Sequence, residues 1–346
     1  MTHATIAHAL GLHVSTVTKA LKGDPAIARR TVSRVRRKAE ELGYRRDPML
    51  SALAAYRKKG YSSDKHTGIA WLHQHGAGRD MGVFPGYHEY FEGARDRAEA
   101  LGYKLQPFRI VPDPAVMART GRVLRARGIR LVVVAPLSRP GVRLDLPWAG
   151  LCGVAIGYTL AEPVLDRVTN DHFGTMAGLL ERLARAGCRR IGVYLAERHN
   201  ERMGRRAASA FLAYAREYGA RIQLYEAFDP GQFRRWVRRF GFDAVVGDGI
   251  APYEALTAER EQGSSGLPAY AGYALPADET RIPGMCHNNR RIGAAAVEFV
   301  VSRFETGRFG IPGLPETLLV ASRWLHAGST ADGRIVAAPQ GSPCDG

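Results

Sequence analysis

The fold of the N-terminal part is decided by the stretch at residues 6–22, which reads IAHALGLHVSTVTKALK. Apolar residues recur at helical spacing on both sides of Gly11, and glycine there indicates that one helix ends and a tight turn begins. Two helices packed across this turn would bury Ala7, Leu12, Val17 and Leu21. The second helix would then expose Val14, Ser15, Thr16, Thr18 and Lys19. Small and hydroxyl side chains beside one long cation suit close approach to base edges and phosphates.

The residues on the C-terminal side of this stretch extend the helical pattern. Gly23-Asp24-Pro25 is a strong stop signal, and a third helix is expected from about Arg29 to Leu42. Asp47-Pro48 is a good start for a short fourth helix that reaches Tyr56, because proline is favoured at the first helical position. Residues 57–67 are polar and charged, which is typical of a linker.

Charge is concentrated at the same end of the chain. The protein has 346 residues and a net charge of +16, and residues 1–60 hold 13 Lys and Arg against 4 Asp and Glu, whereas the remainder holds 36 against 29. A basic excess favours polyanionic partners. The alternative is that arginine is simply a common surface residue in this protein, and the arginine-rich remainder supports that alternative in part.

From Gly68 onward, short apolar strands alternate with helices. The run Leu131-Val132-Val133-Val134-Ala135 is typical of a strand buried on both faces. Strands of this kind joined by helices predict parallel sheets covered on both faces, and the length suggests two sheets.

The N-terminal pattern resembles one known family. IAxALGLxxSTVTKALKG at 6–23, followed by a basic helix and by ELGYRRDPMLSALA at 41–54, is similar to the head of the lactose-repressor (LacI-type) regulators. The resemblance is dense over 2–56. It is weaker per residue in the body, where 168–174, 205–211 and 287–300 support it.

The resemblance implies an all-α helix-turn-helix headpiece with a hinge helix, followed by an α/β periplasmic-binding-protein-like core of two Rossmann-like lobes. We expect the headpiece at 1–46, the hinge helix and linker at 47–67, the core at 68–328 and a disordered tail at 337–346. The N-lobe is expected at about 68–157 and 290–320 and the C-lobe at about 163–286 and 324–336, with crossovers near 157–163, 286–290 and 320–324.

The resemblance also implies roles for residues in the head. Val14, Ser15 and Lys19 would read bases in the major groove. The expected phosphate contacts are Thr2, Thr16, Thr18 and Thr31. Leu53, with Met49 and Leu50 beside it, would be a wedge in the minor groove, although Leu50 and Leu53 could also be ordinary packing residues. His13 stands where a capping serine is usual, which predicts a lost N-cap.

For the core, the resemblance implies a ligand cleft at the carboxyl ends of the strands, between the lobes. Arg205 and Asp248 are the candidate cleft residues, and a surface arginine and a helix cap are the alternatives. The aromatic-rich segment 73–90 is also expected to contribute to the lining. The positions where sugar-sensing relatives carry polar groups are here apolar or glycine, at Val134, Gly157, Gly247 and Ala274. The effector therefore differs from a typical sugar, or insertions shift the alignment, or no small molecule is sensed.

Taken together, the sequence predicts a cytoplasmic bacterial transcriptional regulator. We expect a repressor that binds a near-palindromic DNA operator as a homodimer or a higher assembly and that needs no cofactor. An enzyme is disfavoured, since no phosphate loop, HExxH motif or dinucleotide fingerprint is evident. A solute-binding protein would share the body but would need an export signal, which the N-terminus lacks. The four cysteines are too far apart in sequence for a zinc site, and no apolar run is long enough to span a membrane.

Overall fold

The computed structural model describes residues 3–22, 27–42, 68–74, 86–111, 113–215, 220–261, 267–277, 279 and 281–325. They belong to two compact units, Met1–Lys65 and His66–Gly346. The expected hinge helix, linker and tail lie outside the described residues, as do Thr2, Met49, Leu50 and Leu53.

The described part of the first unit consists of three packed helices. They are α1 (His3–Leu10), α2 (Val14–Lys22) and α3 (Arg29–Glu41). Gly11 takes φ +61 between the first two helices, a left-handed conformation that glycine adopts without strain. The fully buried side chains are Ile6, Ala7, Val17, Ala20, Val35 and Ala39. Leu12 and Leu21 pack against this cluster, so the apolar face predicted from the sequence is the one that forms the core.

The second unit contains two sheets of six strands. In spatial order, the first sheet consists of β13 (Thr317–Val320), β7 (Asp166–Asn170), β5 (Cys152–Ile156), β3 (Leu131–Val134), β1 (Gly68–His73) and β2 (Lys104–Arg109). The second consists of β14 (Arg323–Leu325), β12 (Gly284–Cys286), β11 (Ala269–Leu275), β10 (Ala244–Gly247), β8 (Ile191–Ala196) and β9 (Arg221–Tyr225). A small pair, β4 (Val142–Arg143) and β6 (Leu160–Glu162), stands apart. All pairs are parallel except β12 with β14.

Helices and apolar side chains cover both faces of each sheet, as the continuous apolar strands predicted. The helices of the first lobe are α4 (Tyr87–Ala100), α5 (Pro114–Ala126) and α11 (Asn289–Glu305). Those of the second lobe are α6 (His172–Arg185), α7 (Glu197–Arg202), α8 (Arg206–Tyr214), α9 (Pro230–Phe240) and α10 (Ala251–Glu261). Each lobe therefore contains two apolar cores, one on each side of its sheet.

Two glycines allow α4 and α11 to approach at backbone distance. A Cβ atom added to Gly293 would lie 2.0 Å from the carbonyl oxygen of Tyr90, and one added to Gly93 would lie 1.9 Å from that of Arg290. Any side chain at either position would therefore force the two helices apart.

The first crossing between the lobes differs from the expected one. We expected it at 157–163, but Asp166–Asn170 pairs with Cys152–Ile156 in the first sheet, so the chain leaves that sheet only after Asn170. Besides this strand pairing, a buried ion pair joins Asp166 to Arg303 of α11, and the two side chains are 1% and 4% exposed. Asp166 also accepts a hydrogen bond from the backbone of Glu316 at 2.8 Å. These bonds hold β7 in the first lobe.

The chain crosses twice more, after Cys286 and after Val320. One side chain joins all three crossings: Asn170 Nδ2 donates to Ser322 Oγ at 2.8 Å, to the Val320 carbonyl at 3.2 Å and to the His287 carbonyl at 3.5 Å. Thr175 Oγ1 bonds Asn170 Oδ1 and Ser322 Oγ. The three connections are therefore held as one hydrogen-bonded hinge.

Candidate functional site

The second unit contains a cavity of about 430 Å³ between its two sheets. Its lining comes from the carboxyl ends of strands in both lobes, for example Ile156 and Thr169 in the first lobe and Ala196, Asp248 and His287 in the second. In each sheet the strand order reverses at this edge, next to β1 and next to β8. Ligands of open parallel sheets bind at such reversal points.

His172 and His287 line the cavity and form a cluster with the buried Tyr273. Tyr273 Oη donates to the His172 carbonyl at 3.2 Å, so its lone pair accepts the proton on His172 Nδ1, also at 3.2 Å. Burial lowers the pKa of His172 well below its ordinary value, and the neighbouring His287 lowers it further. His172 is therefore a neutral imidazole with its proton on Nδ1.

His287 is neutral for the same reason. Burial lowers its pKa to about 3, and the neighbouring His199 adds to that effect. Its ring is hydrogen-bonded to the backbone of Tyr273, and its Nε2 atom is buried with no partner among the described residues, so Nδ1 carries the proton. Neither imidazole of this cluster brings positive charge to the cavity.

Asp248 and His199 form a second polar pair in the lining. His199 Nδ1 lies 2.7 and 2.8 Å from the two carboxylate oxygens of Asp248, and the side chains are 12% and 11% exposed. Asp248 directly follows β10, where the sequence placed it. The structure thus brings one of the two predicted cleft residues to the cavity.

A third group is basic and lies on α7. Arg202 is 8% exposed and donates through Nη1 to the carbonyl of Ser138, in the other lobe, at 2.8 Å. Arg198 Nη2 lies 3.5 Å from the same oxygen. Gln74 holds Ser138 by accepting from its backbone N–H and its hydroxyl, both at 2.8 Å. Two guanidinium groups thus converge on one carbonyl at the edge of the cavity.

The charge of Arg202 is costly where it lies. Burial is the main reason that its pKa falls to about 10, and the positive charge of Arg198 lowers it further, while Tyr90 and Tyr87 act in the opposite direction. Burial also raises the pKa of both tyrosines, so each remains a neutral phenol that can donate a hydrogen bond. Arg202 stays protonated at neutral pH in spite of this cost.

Arg205, the other predicted cleft residue, does not line the cavity. Its side chain is 60% exposed and bonds Glu197 and Glu201, both at 2.9 Å. The sequence showed an arginine run at 202, 205 and 206, but α7 ends at Arg202, and Arg205 takes a left-handed conformation with φ 59. The next helix, α8, begins only at Arg206, so Arg205 lies in the turn between α7 and α8.

Tyr87 and Tyr90 belong to the aromatic-rich segment that was expected to line the cleft. The lining residues that sequence reasoning missed include His172, His199, Arg202, His287 and Asn289. His172 and His287 could have been found from their position in stretches that supported the family resemblance. Tyr87 and Tyr90 are at the end of the aromatic segment 73–90, and that position was the signal for them. Of the four apolar or glycine positions noted in the sequence, Gly157 and Ala274 line the cavity. The polar groups that line the cavity therefore come from positions other than these four.

The outward face of α2 is the second candidate site. Val14 is 42% exposed, Ser15 and Lys19 are exposed, and Lys19 forms no ion pair with any of the described residues. His13 does not leave the helix uncapped, because its Nδ1 accepts from the Ser15 backbone at 3.3 Å and bonds the Ser15 hydroxyl at 2.7 Å. The predicted loss of the N-cap is therefore wrong, because the imidazole of His13 caps α2.

The threonines near this face differ in their burial and in the hydrogen bonds that their hydroxyl groups already make. Thr18 Oγ1 donates to the Val14 carbonyl at 2.9 Å and is bonded to His3 Nδ1, so its proton is already engaged. Thr16 and Thr31 are half-buried near the first turns of α2 and α3. Across 3–22 and 27–42, eight Lys and Arg residues stand against two Glu residues, so the field around this face is positive.

Among the described residues there is neither a cluster of metal ligands nor a helix that could span a membrane. They contain no group of three or more His, Cys, Asp or Glu side chains placed to hold a metal ion. No helix among them combines the length and the apolar character that crossing a bilayer requires.

No family model and no curated protein matches this sequence. Solved structures do match: the transcriptional regulator CelR in complex with cellobiose has a TM-score of 0.57 at 18% identity, over 96% of this chain and 100% of CelR. A lac repressor dimer bound to operator and an anti-inducer has a TM-score of 0.55 at 13% identity, over 96% and 99%. This chain has the LacI-type fold. A ribose operon repressor from Lactobacillus acidophilus shares the LacI-type core, with a TM-score of 0.56 at 11% identity over 78% of this chain and 100% of the repressor.

Proposed function

We propose that this protein is a cytoplasmic bacterial transcriptional regulator, in the manner of a repressor, that binds a near-palindromic DNA operator as a dimer. A small-molecule effector in the cleft between the lobes would control it. The observation that carries the proposal is the exposed face of α2, with Val14, Ser15 and Lys19 on a strongly basic three-helix unit. A helix of this kind fits the major groove as the second helix of a helix-turn-helix.

Within this proposal Val14, Ser15 and Lys19 read bases. Thr2, Thr16 and Thr31 hold phosphates, and Thr18 can do so only if its hydroxyl rotates away from Val14. Met49, Leu50 and Leu53 enter the minor groove. The segments proposed are a headpiece at 1–46, a hinge and linker at 47–67, and a sensing core that follows. The lac repressor that shares this fold was solved as a dimer on its operator, which supports the same mode of binding here.

The hinge gives a physical reason why a cleft ligand would regulate DNA binding. A ligand that contacts both lobes favours one angle between them, since it binds the two conformations with different affinities. In a dimer that angle would change the spacing of the two headpieces, and the coupling would be reciprocal between effector and operator.

Selection of genomic DNA fragments by the purified full-length protein tests this function. We expect recovery of a two-fold symmetric sequence, and loss of binding in a Lys19→Ala, Ser15→Ala double variant. Arg205→Ala, which removes an exposed cation paired with two glutamates in the body, is the matched control and should bind as the parent does. Recovery of no preferred sequence by a folded parent protein would refute the proposal.

Lys19→Ala alone separates two ways of contacting DNA. If Lys19 bonds a base edge, its loss weakens binding to the selected sequence by roughly 1–3 kcal/mol and leaves binding to random DNA almost unchanged. Equal weakening on both sequences would show instead that Lys19 contacts a phosphate.

A further inference from the structure

The polar lining of the cavity is divided by charge. Arg198 and Arg202 extend from one helix, α7, toward the same oxygen of Ser138, and Tyr87 and Tyr90 lie beside Arg202. The remaining polar lining includes the Asp248 carboxylate bonded to His199, the Glu226 side chain, and the neutral rings of His172 and His287.

The convergence of the two guanidinium groups opposes folding of this region. Each repels the other, and Arg202 loses most of its hydration at 8% exposure. The Ser138 carbonyl on which both groups converge is neutral, so it carries no charge to balance theirs. Charged groups that are kept in a cleft although their burial and mutual repulsion destabilise the fold are typical of a binding site.

We propose that the cleft binds a small hydroxylated organic anion, a carboxylate or a phosphate monoester, whose acid group lies against Arg198 and Arg202. Guanidinium groups pair with both acids through two parallel hydrogen bonds. The Tyr87 and Tyr90 phenols would donate to the same acid group, and the Asp248–His199 pair would accept from the hydroxyls. The inference rests on the proposed function only in taking the cleft as the effector site.

Arg202 also gives the anion a way to act on the hinge. Its side chain belongs to the second lobe and its hydrogen bond is to Ser138 of the first. An anion bound by Arg202 therefore competes with, or joins, a contact that already connects the lobes, so that occupancy changes the angle between them.

Binding is measured on the full-length protein without DNA, by thermal shift and by titration calorimetry. Each neutral polyol is compared with its own acids at millimolar concentration: glucose with gluconate and glucose 6-phosphate, ribose with ribonate and ribose 5-phosphate, and glycerol with glycerate and glycerol 3-phosphate. We expect at least one acid to bind more tightly than its parent, with an affinity that falls as salt is added. The carboxylate and phosphate members show which source of negative charge the cleft prefers.

Arg202→Gln should weaken binding of that acid roughly 10- to 100-fold, the loss expected for a hydrogen bond between charged groups. Arg205→Gln, three residues away and exposed, is the matched control and should leave binding unchanged. Arg198→Gln, at an exposed position on the same helix, should weaken binding about as a single charge-assisted bond does, roughly 10-fold. This second variant keeps the test decisive if Arg202→Gln does not fold.

The proposal is overturned if no acid binds better than its neutral parent, or if the Arg198 and Arg202 variants bind the acid as the parent protein does. Either result leaves the proposed DNA-binding function standing as long as the same preparation still selects a DNA sequence. Conversely, anion binding by a protein that selects no DNA would support this cleft chemistry and refute the regulator.

Discussion

Replacement of Asp166 by asparagine tests the buried ion pair that places β7 in the first lobe. The substitution preserves size but removes the negative charge beside Arg303, and both side chains are at most 4% exposed. Removing one partner of such a pair leaves an uncompensated buried charge, which costs about 3–5 kcal/mol. Asparagine can still accept from the Glu316 backbone, so the loss reports on the charge rather than on that bond.

Urea unfolding of the whole protein, followed by far-ultraviolet circular dichroism, measures this loss. The matched control is Glu162→Gln, because Glu162 pairs with Arg143 in the same lobe with side chains 55% and 72% exposed. An exposed pair contributes about 0–1 kcal/mol. The reasoning is refuted if Asp166→Asn and Glu162→Gln lower the free energy of unfolding equally.

A double variant makes the test sharper. In Asp166→Leu with Arg303→Met both charges are gone, so no buried charge is left without a partner. Replacing both members of a buried pair by apolar residues is often neutral. We therefore expect the double variant to be more stable than Asp166→Asn, and the opposite order would show that the cost comes from packing.

Three further outcomes are expected. Gly293→Ala should lower the free energy of unfolding by about 1–3 kcal/mol, because the new Cβ meets the Tyr90 carbonyl at 2.0 Å. Gly178→Ala in α6, where the new Cβ lies 3.5 Å from the Met285 side chain, should be neutral or stabilising by up to about 1 kcal/mol. Equal effects of the two substitutions would contradict the close helix contact. His172 and His287 have folded pKa values below the 6.5 of the unfolded chain, so the unfolded state binds more protons as pH falls. Each histidine should therefore lower the free energy of unfolding by about 1.2 kcal/mol between about pH 6 and 5. His287→Gln should remove one of the two contributions, and an unchanged pH dependence of unfolding across that range would argue against a buried neutral ring. Binding to the selected DNA should weaken steeply as salt rises, with a slope of about 0.9 per phosphate contacted; a flat response in a filter-binding assay would count against a phosphate role for the headpiece cations.

The helical and strand patterns could be predicted well because they depend on nearby residues. The apolar spacing in 6–22 gave the helices that the structure has, and Leu131–Val134 is a fully buried strand as its composition indicated. The cap at His13 was not foreseen because an imidazole can replace a serine hydroxyl only in a particular ring orientation. Local patterns therefore predict elements better than they predict the details of their ends.

Features that depend on distant partners were predicted less well. The first crossing was misplaced because Asp166, a charged residue, is buried by Arg303, which lies 137 positions later in the chain. Arg205 was chosen over Arg202 because the end of α7 and the left-handed turn after it change which arginine faces the cavity. The histidine cluster also required the fold, since His172 and Tyr273 are 101 residues apart.

The close crossing of α4 and α11 has a consequence for substitutions in the cavity lining. Tyr87 and Tyr90 stand on α4, while α11 begins at Asn289, next to the second crossing. Gly93 and Gly293 leave no space for a methyl group between the two helices. This close packing therefore fixes the position of Tyr87 and Tyr90 relative to the start of the second crossing. Substitutions at Tyr87 or Tyr90 that are meant to change what the cavity binds therefore require that both glycines be kept.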